Sequence, residues 1–163
     1  SMDFVLEIKE NAEVVDRFYG KARKEDKLNI SFVDREKTLQ FSNDVIFPHE
    51  FIEEVIKNLE TGKKILVKKV YEGTIPEKFF RISVFFTDEV KPLDNFKLPK
   101  GVNNSFRKVI MAYYQDNDQT PIFEQTVSIN NQGIAGQFKY DYPDYSLSLK
   151  LKKIELVQTS CEK

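Results

Sequence analysis

Apolar and polar residues alternate along much of this chain, with stretches of longer, helical spacing set between the alternating runs. Phe4, Leu6 and Ile8 share one parity and predict a short strand over 4–8. From Asn11 onward, Val14, Val15, Phe18 and Tyr19 fall on one helical face, with Asn11 as a cap and Gly20 as a stop. A helix over 11–20 is the expectation, and a strand is its rival. Leu28, Ile30 and Phe32 alternate with polar residues, Asp34-Arg35-Glu36-Lys37 make a polar turn, and Leu39 and Phe41 return, which predicts a hairpin over 27–42.

The clearest helix is predicted over 48–60. Pro48 suits the first helical position, Glu50 suits the first turn, and Phe51, Ile52, Val55, Ile56 and Leu59 form one apolar stripe before Gly62. Strands follow over 64–72 and 79–87. In the second, Phe80, Ile82, Val84 and Phe86 oppose Arg81, Ser83 and Thr87, while Phe79 and Phe85 interrupt the polar face. That face is therefore either partly covered or open to a partner. Residues 88–103, with Pro92, Pro99 and Gly101, form the longest irregular stretch and the candidate lid or binding loop.

Residues 104–114 fit a helix through Phe106, Val109, Ile110, Tyr113 and Tyr114, with Asn104 as cap; a strand buried on both faces is the alternative. The last third is β-rich. Phe123, Gln125, Val127 and Ile129 share a parity, Asn130-Asn131-Gln132-Gly133 predicts a turn, and Phe138, Tyr140 and Tyr142 return. Leu147, Leu149 and Leu151 alternate until the parity flips to Ile154 and Leu156, which predicts a bulge or strand end near 152–153. These elements predict one α+β domain over 1–163. A mostly antiparallel β-sheet, in one or two sheets, carries the packed amphipathic helix at 48–60 and one or two shorter helices at 11–20 and 104–114. A β-sandwich with a single helix is the alternative architecture.

Composition changes this picture little. The 163 residues suffice to bury a core without staples. Charge is balanced overall, at −1, but unevenly placed: residues 1–60 carry −5, residues 61–110 carry +6, and residues 111–163 carry −2. The basic middle is either a partner surface or the complement of acidic segments in the same chain. Stacking of Phe79, Phe80, Tyr113 and Tyr114 beside these lysines would be the route to nucleic acid. No nucleotide-binding signature accompanies them, so nucleic acid is disfavoured. Cys161 stands alone, which excludes an intrachain disulfide and a multi-cysteine metal site. No apolar run of about 18 residues is present to span a membrane. The start lacks the pattern of a signal peptide, and with the single cysteine this leads to an expectation of a cytoplasmic or other intracellular location.

The residues for catalysis are sparse. His49 is the only histidine, set at the start of the predicted helix. There is no nucleophile-elbow motif, no glycine-rich phosphate loop and no His/Cys cluster, so neither a metal nor a cofactor is expected. Asp116-Asn117-Asp118 matches only the opening of a calcium loop, since Pro121 and Val127 occupy the positions that need Gly and Glu. The most distinctive segment is Tyr140-Asp141-Tyr142-Pro143-Asp144-Tyr145. Tyrosine supplies contact area and a hydroxyl together, which suits recognition. Tyr140, Asp141, Tyr142, Asp144 and Tyr145, with Glu53 and Glu54 on the helix, are the candidate partner-binding residues; no catalytic residue is nominated.

The run Gly136-Gln137-Phe138-Lys139-Tyr140-Asp141-Tyr142, after its hairpin, resembles the C-terminal part of YezG-like immunity proteins, which neutralise bacterial toxins. The likeness covers a short part of the chain, and the tryptophans associated with that family are absent. It implies an interaction protein. The function expected from the sequence is thus a non-catalytic protein-binding domain, an inhibitor, immunity-like or adaptor protein, whose partner is another protein. The alternatives are a binder of a small apolar ligand in a Phe-lined pocket, or a small enzyme built on carboxylates and His49.

Overall fold

In a computed structural model, the structure describes residues 2–32, 38–73, 77–93 and 97–154. Among the described residues the chain forms eleven strands and one helix. Strands β1 (Met2–Glu10), β2 (Glu13–Lys24), β3 (Lys27–Phe32) and β4 (Thr38–Ser42) make an antiparallel meander. Strand β5 (Val45–Ile46) leads into helix α1 (Pro48–Thr61) and back to β6 (Ile65–Val70), which runs parallel to β5. Strands β7 (Phe80–Lys91), β8 (Phe106–Gln115), β9 (Phe123–Ile129), β10 (Ala135–Asp141) and β11 (Ser146–Lys150) then pair antiparallel in chain order. The second sheet has the order β11-β10-β9-β8-β7-β6-β5.

The α+β expectation with several helices is therefore corrected to a mostly β chain with one helix. Residues 11–20 are not helical. Asn11 and Ala12 both have positive φ, 49° and 67°, and form the two-residue turn between β1 and β2. Asparagine tolerates that conformation, so its role is the turn and not a cap. Within β2 the buried positions are Phe18, Gly20 and Ala22, a period of two. Residues 104–114 are likewise strand. In β8 Val109, Met111 and Tyr113 are buried on one face, while Ile110 and Tyr114 are partly covered on the other. A strand with apolar residues on both faces mimics helical spacing over a short window.

The helix begins and ends as its sequence implies. Pro48 takes the first helical position, Glu50 Oε2 accepts a hydrogen bond from the Phe47 N–H at 2.8 Å, and Gly62 closes the helix at φ 71°. Phe51 and Val55 are buried against the second sheet, but Ile52 is exposed. The turn at Asn130–Gly133 also lies where predicted, and a further turn falls at Asp116–Asn117. The predicted polar turn at 34–37 lies outside the described residues, as does Leu156. The expected loop at 88–103 begins later, because β7 continues to Lys91 through a bulge between Phe86 and Val90.

Two apolar clusters form the core. One lies between α1 and the inner face of the second sheet, around Ile82, Val84, Phe86 and Val109. The other fills the first sheet with Leu28, Ile30 and Phe32, and takes in Val45 and Tyr71 from the second. Phe41 meets Tyr71 at 5.4 Å and Phe79 at 5.9 Å between ring centroids, so aromatic contacts join the sheets. Burial pushes the Tyr71 hydroxyl up to about 12.

The basic middle of the chain is largely matched internally. Lys68 pairs with Glu54 at 3.2 Å, Lys69 with Asp44 at 2.8 Å, Lys78 with Asp116 at 3.7 Å, and Lys64 with Asp88. The Arg81 guanidinium lies over the Tyr114 ring at 4.7 Å and donates to the Asp118 carbonyl at 2.7 Å.

Candidate functional site

Strand pairing places one residue from each successive strand of the second sheet side by side on the inner face. Phe80 of β7 meets Tyr113 of β8 at 6.3 Å between centroids, and Tyr113 stacks on Phe123 of β9 at 4.3 Å. Phe123 then meets Tyr142 at 5.2 Å, and Tyr142 stacks on Tyr145 at 4.6 Å. This aromatic row runs from the core to solvent: Tyr113 is 7% exposed and Tyr145 is 62% exposed.

The open end is built by a tight hairpin. The Tyr142 N–H donates to the Tyr145 carbonyl at 2.9 Å, so Pro143 and Asp144 form the tip. The register continues with Asp141 opposite Ser146, Tyr140 opposite Leu147, and Phe138 opposite Leu149. Tyr140, Tyr142, Tyr145, Leu147 and Leu149 thus share the inner face, and Leu147 and Leu149 are each about half exposed, at 48% and 49%. Among the described residues, no strand pairs with the far side of β11. The strand ends at Lys150, near the parity flip in the sequence.

At the buried end the row acquires polar groups. Tyr113 donates its hydroxyl to Gln125 Oε1 at 2.9 Å. Burial raises the Tyr113 hydroxyl far above its ordinary range, and the charge of Glu72 adds to this. Glu72 itself has its carboxyl raised by burial, and no hydrogen-bond or ion-pair partner for it lies among the described residues. Burial also raises Tyr140, helped by Tyr142 and Glu72.

The residues nominated from the sequence divide accordingly. Tyr140, Tyr142 and Tyr145 are brought together. Asp141 points to the opposite face and pairs with Lys139 at 2.9 Å, and Asp144 is exposed at the hairpin tip. Glu53 is exposed on α1, whereas Glu54 is engaged with Lys68 on β6. His49 is exposed and stacks on Phe47 at 6.1 Å, with no hydrogen-bond partner among the described residues. No group of three or more His, Cys, Asp or Glu side chains is arranged to hold a metal among the described residues. None of the helices among them is long and apolar enough to cross a membrane. Sequence reasoning missed Glu72 and the exposure of Leu147 and Leu149. Gln125 was the available signal for the buried polar end, as the lone polar residue on an otherwise apolar parity.

Two sheets joined by aromatic contacts, with one helix packed against the second, make a β-barrel-like fold. A crystal structure of a β-barrel-like protein of a domain of unknown function from Brucella abortus has the same fold, with a TM-score of 0.81 over 96% of this chain and 67% of that one, at 23% identity. The EipB-like family model matches residues 1–158, and the chain belongs to the EipB-like family. That match spans nearly the whole chain, whereas the likeness to YezG-like proteins touched only one hairpin. The chain is also 26% identical over 110 residues, 62% of its length, to the NACHT, LRR and PYD domains-containing protein 4B of Mus musculus, of which it spans 13%.

Proposed function

We propose that this chain is a non-catalytic binding protein, of the inhibitor, immunity-like or adaptor kind, and that its partner is another protein. The contact surface is the open end of the aromatic row, Tyr142, Tyr145, Leu147 and Leu149, together with the outer edge of β11. The observation that carries this reading is the coincidence of exposed aromatic and aliphatic side chains with a strand edge that has no neighbour among the described residues. Such an edge offers backbone donors and acceptors to an extended segment, and alternate side chains give that segment selectivity. The tyrosines add area at small entropic cost and leave their hydroxyls for partner groups. Asp144 at the hairpin tip would lie at the rim.

The test compares capture of partners by the unaltered chain and by a Tyr145→Ala/Leu147→Asp variant, with amide hydrogen exchange on the captured complex. A partner that the variant loses, and that protects the amides of 146–150, is the expected result. A partner retained by the variant, or protection confined to other strands, would overturn the assignment of this surface.

A further inference from the structure

The face of the second sheet turned away from α1 carries a cavity of about 690 Å³. Strand register builds its floor. Lys108 of β8 lies opposite Ser128 of β9, Ser128 opposite Gln137 of β10, and Gln137 opposite Lys150 of β11. The next row carries Thr126 opposite Lys139. Lys91 at the end of β7 and Lys152 after β11 complete a lining of five lysines, against which Glu89 is the one carboxylate among the described lining residues.

The wall of this cavity is held in place. Leu93 seats on Gly136, where an added Cβ would stand 2.5 Å from Leu93 Cδ2. The Leu93 N–H donates to Asn104 Oδ1 at 2.9 Å. Gln132 ties the same connection to the β9–β10 turn, accepting from the Asn103 N–H at 2.8 Å and donating to the Gly101 carbonyl at 2.9 Å. Buried Asn130 donates to the Asn103 carbonyl at 2.9 Å.

We propose that this cavity binds a phosphate-bearing anion. Its charges are incompletely matched. Lys91 and Lys108 share Glu89 at 2.6 and 3.3 Å, and Lys139 is paired with Asp141 at 2.9 Å. Lys150 and Lys152 have no carboxylate partner among the described residues. An anion in the cavity would offset the ammonium charge that Glu89 and Asp141 leave unmatched. Among the described residues the lining contains lysines and no arginine, with the hydroxyls of Thr126 and Ser128 and the Gln137 amide between them. Ammonium groups act as compact charges that meet a tetrahedral phosphate from several directions, whereas the planar arginine fork suits bidentate pairing. The volume exceeds that of one phosphate, and Leu93 and Phe106 give the organic part of a phosphate ester an apolar wall. A soluble phosphate ester and a phospholipid headgroup share this chemistry.

The experiment titrates the full chain with tripolyphosphate by calorimetry at low salt, and in parallel floats it with phosphatidylcholine vesicles containing phosphatidylglycerol. The variants are K150E/K152E and, as a control of equal charge change on α1 and beyond it, K57E/K63E. Tripolyphosphate binding weakened about ten-fold or more by K150E/K152E, and less than about two-fold by K57E/K63E, is the expected result. Flotation lost in the same variant identifies a headgroup as the source; binding without flotation identifies a soluble ester. Absence of binding to both probes, or equal weakening by the two variants, would overturn the proposal. Circular dichroism of both variants, with K152E alone as a milder change, separates lost binding from lost folding.

Discussion

The two faces of the seven-stranded sheet share one backbone and differ in almost everything else. The inner face carries Phe80, Ile82, Val84 and Phe86 against α1, and its aromatic row emerges into solvent only at β11. The outer face alternates with it residue by residue, and gathers Lys108, Lys139 and Lys150 beside Thr126, Ser128 and Gln137. Neighbouring positions on one strand therefore meet opposite environments, an apolar core inward and a lysine-lined cavity outward. At its free edge the inner face is itself exposed, at Tyr145, Leu147 and Leu149. Alternation in a strand does not merely sort apolar from polar residues; it delivers two independent surfaces.

The largest test of this contrast uses adjacent phenylalanines. Phe86 is fully buried on the inner face, and Phe86→Ala is expected to cost about 3–5 kcal/mol in denaturant unfolding. Phe85, half exposed on the outer face, is expected to cost less than about 1 kcal/mol as Phe85→Ala in the same assay. Similar losses would mean that the outer face is covered. Tyr113→Phe removes the donor to Gln125 Oε1 and is expected to cost about 1–2 kcal/mol, since a buried acceptor is left unpaired. Tyr142→Ala loses stacking on Phe123 and Tyr145 near solvent and is expected to cost about 0.5–1.5 kcal/mol.

Glu72 supplies a pH-dependent test. Its carboxyl is raised by burial, so the folded state holds a proton that the unfolded chain has already released. Stability is expected to fall as pH rises from the ordinary carboxylate range, about 4.5, through the raised folded value. Glu72→Gln removes this cost, so its melting temperature should exceed that of the unaltered chain at pH 7 and approach it at pH 4. A variant no more stable at pH 7 would show that Glu72 is well solvated when charged. The smallest expected effect is that of K150E/K152E on stability, within about 0.5 kcal/mol, because both side chains are exposed.

Much of this architecture was legible in the pattern of residues. The helix at 48–60 carries a proline start, an apolar stripe and a glycine stop, signals that act locally and agree with one another. The strands with strict alternation, β3, β7 and β9, were legible because one face of each is buried and the other is not. Both shorter helices failed for physical reasons. At Asn11-Ala12 the decisive event is a positive-φ turn that Asn permits but does not announce. In β8 apolar residues occupy both faces, so period two is hidden. Of the candidate site, the three tyrosines were visible as a cluster because a two-residue turn brings Tyr142 and Tyr145 face to face. Asp141 turns away from the tyrosines because adjacent strand residues point to opposite faces.

By itself, the sequence determined the local elements with a single strong signal: the helix and its ends, the alternating strands, and the turn at Asn130–Gly133. Their information lies within a few residues, in periodicity and backbone preference. Tertiary structure decided which strands became neighbours, and with that everything assembled across strands. Lys108, Ser128, Gln137 and Lys150 are far apart in the chain and adjacent in one row only through register. Glu72 comes near Tyr113 and Tyr140 only once the strands of the second sheet have paired. Pairing between distant segments is set by how the whole apolar surface is buried, which no short stretch of the chain specifies.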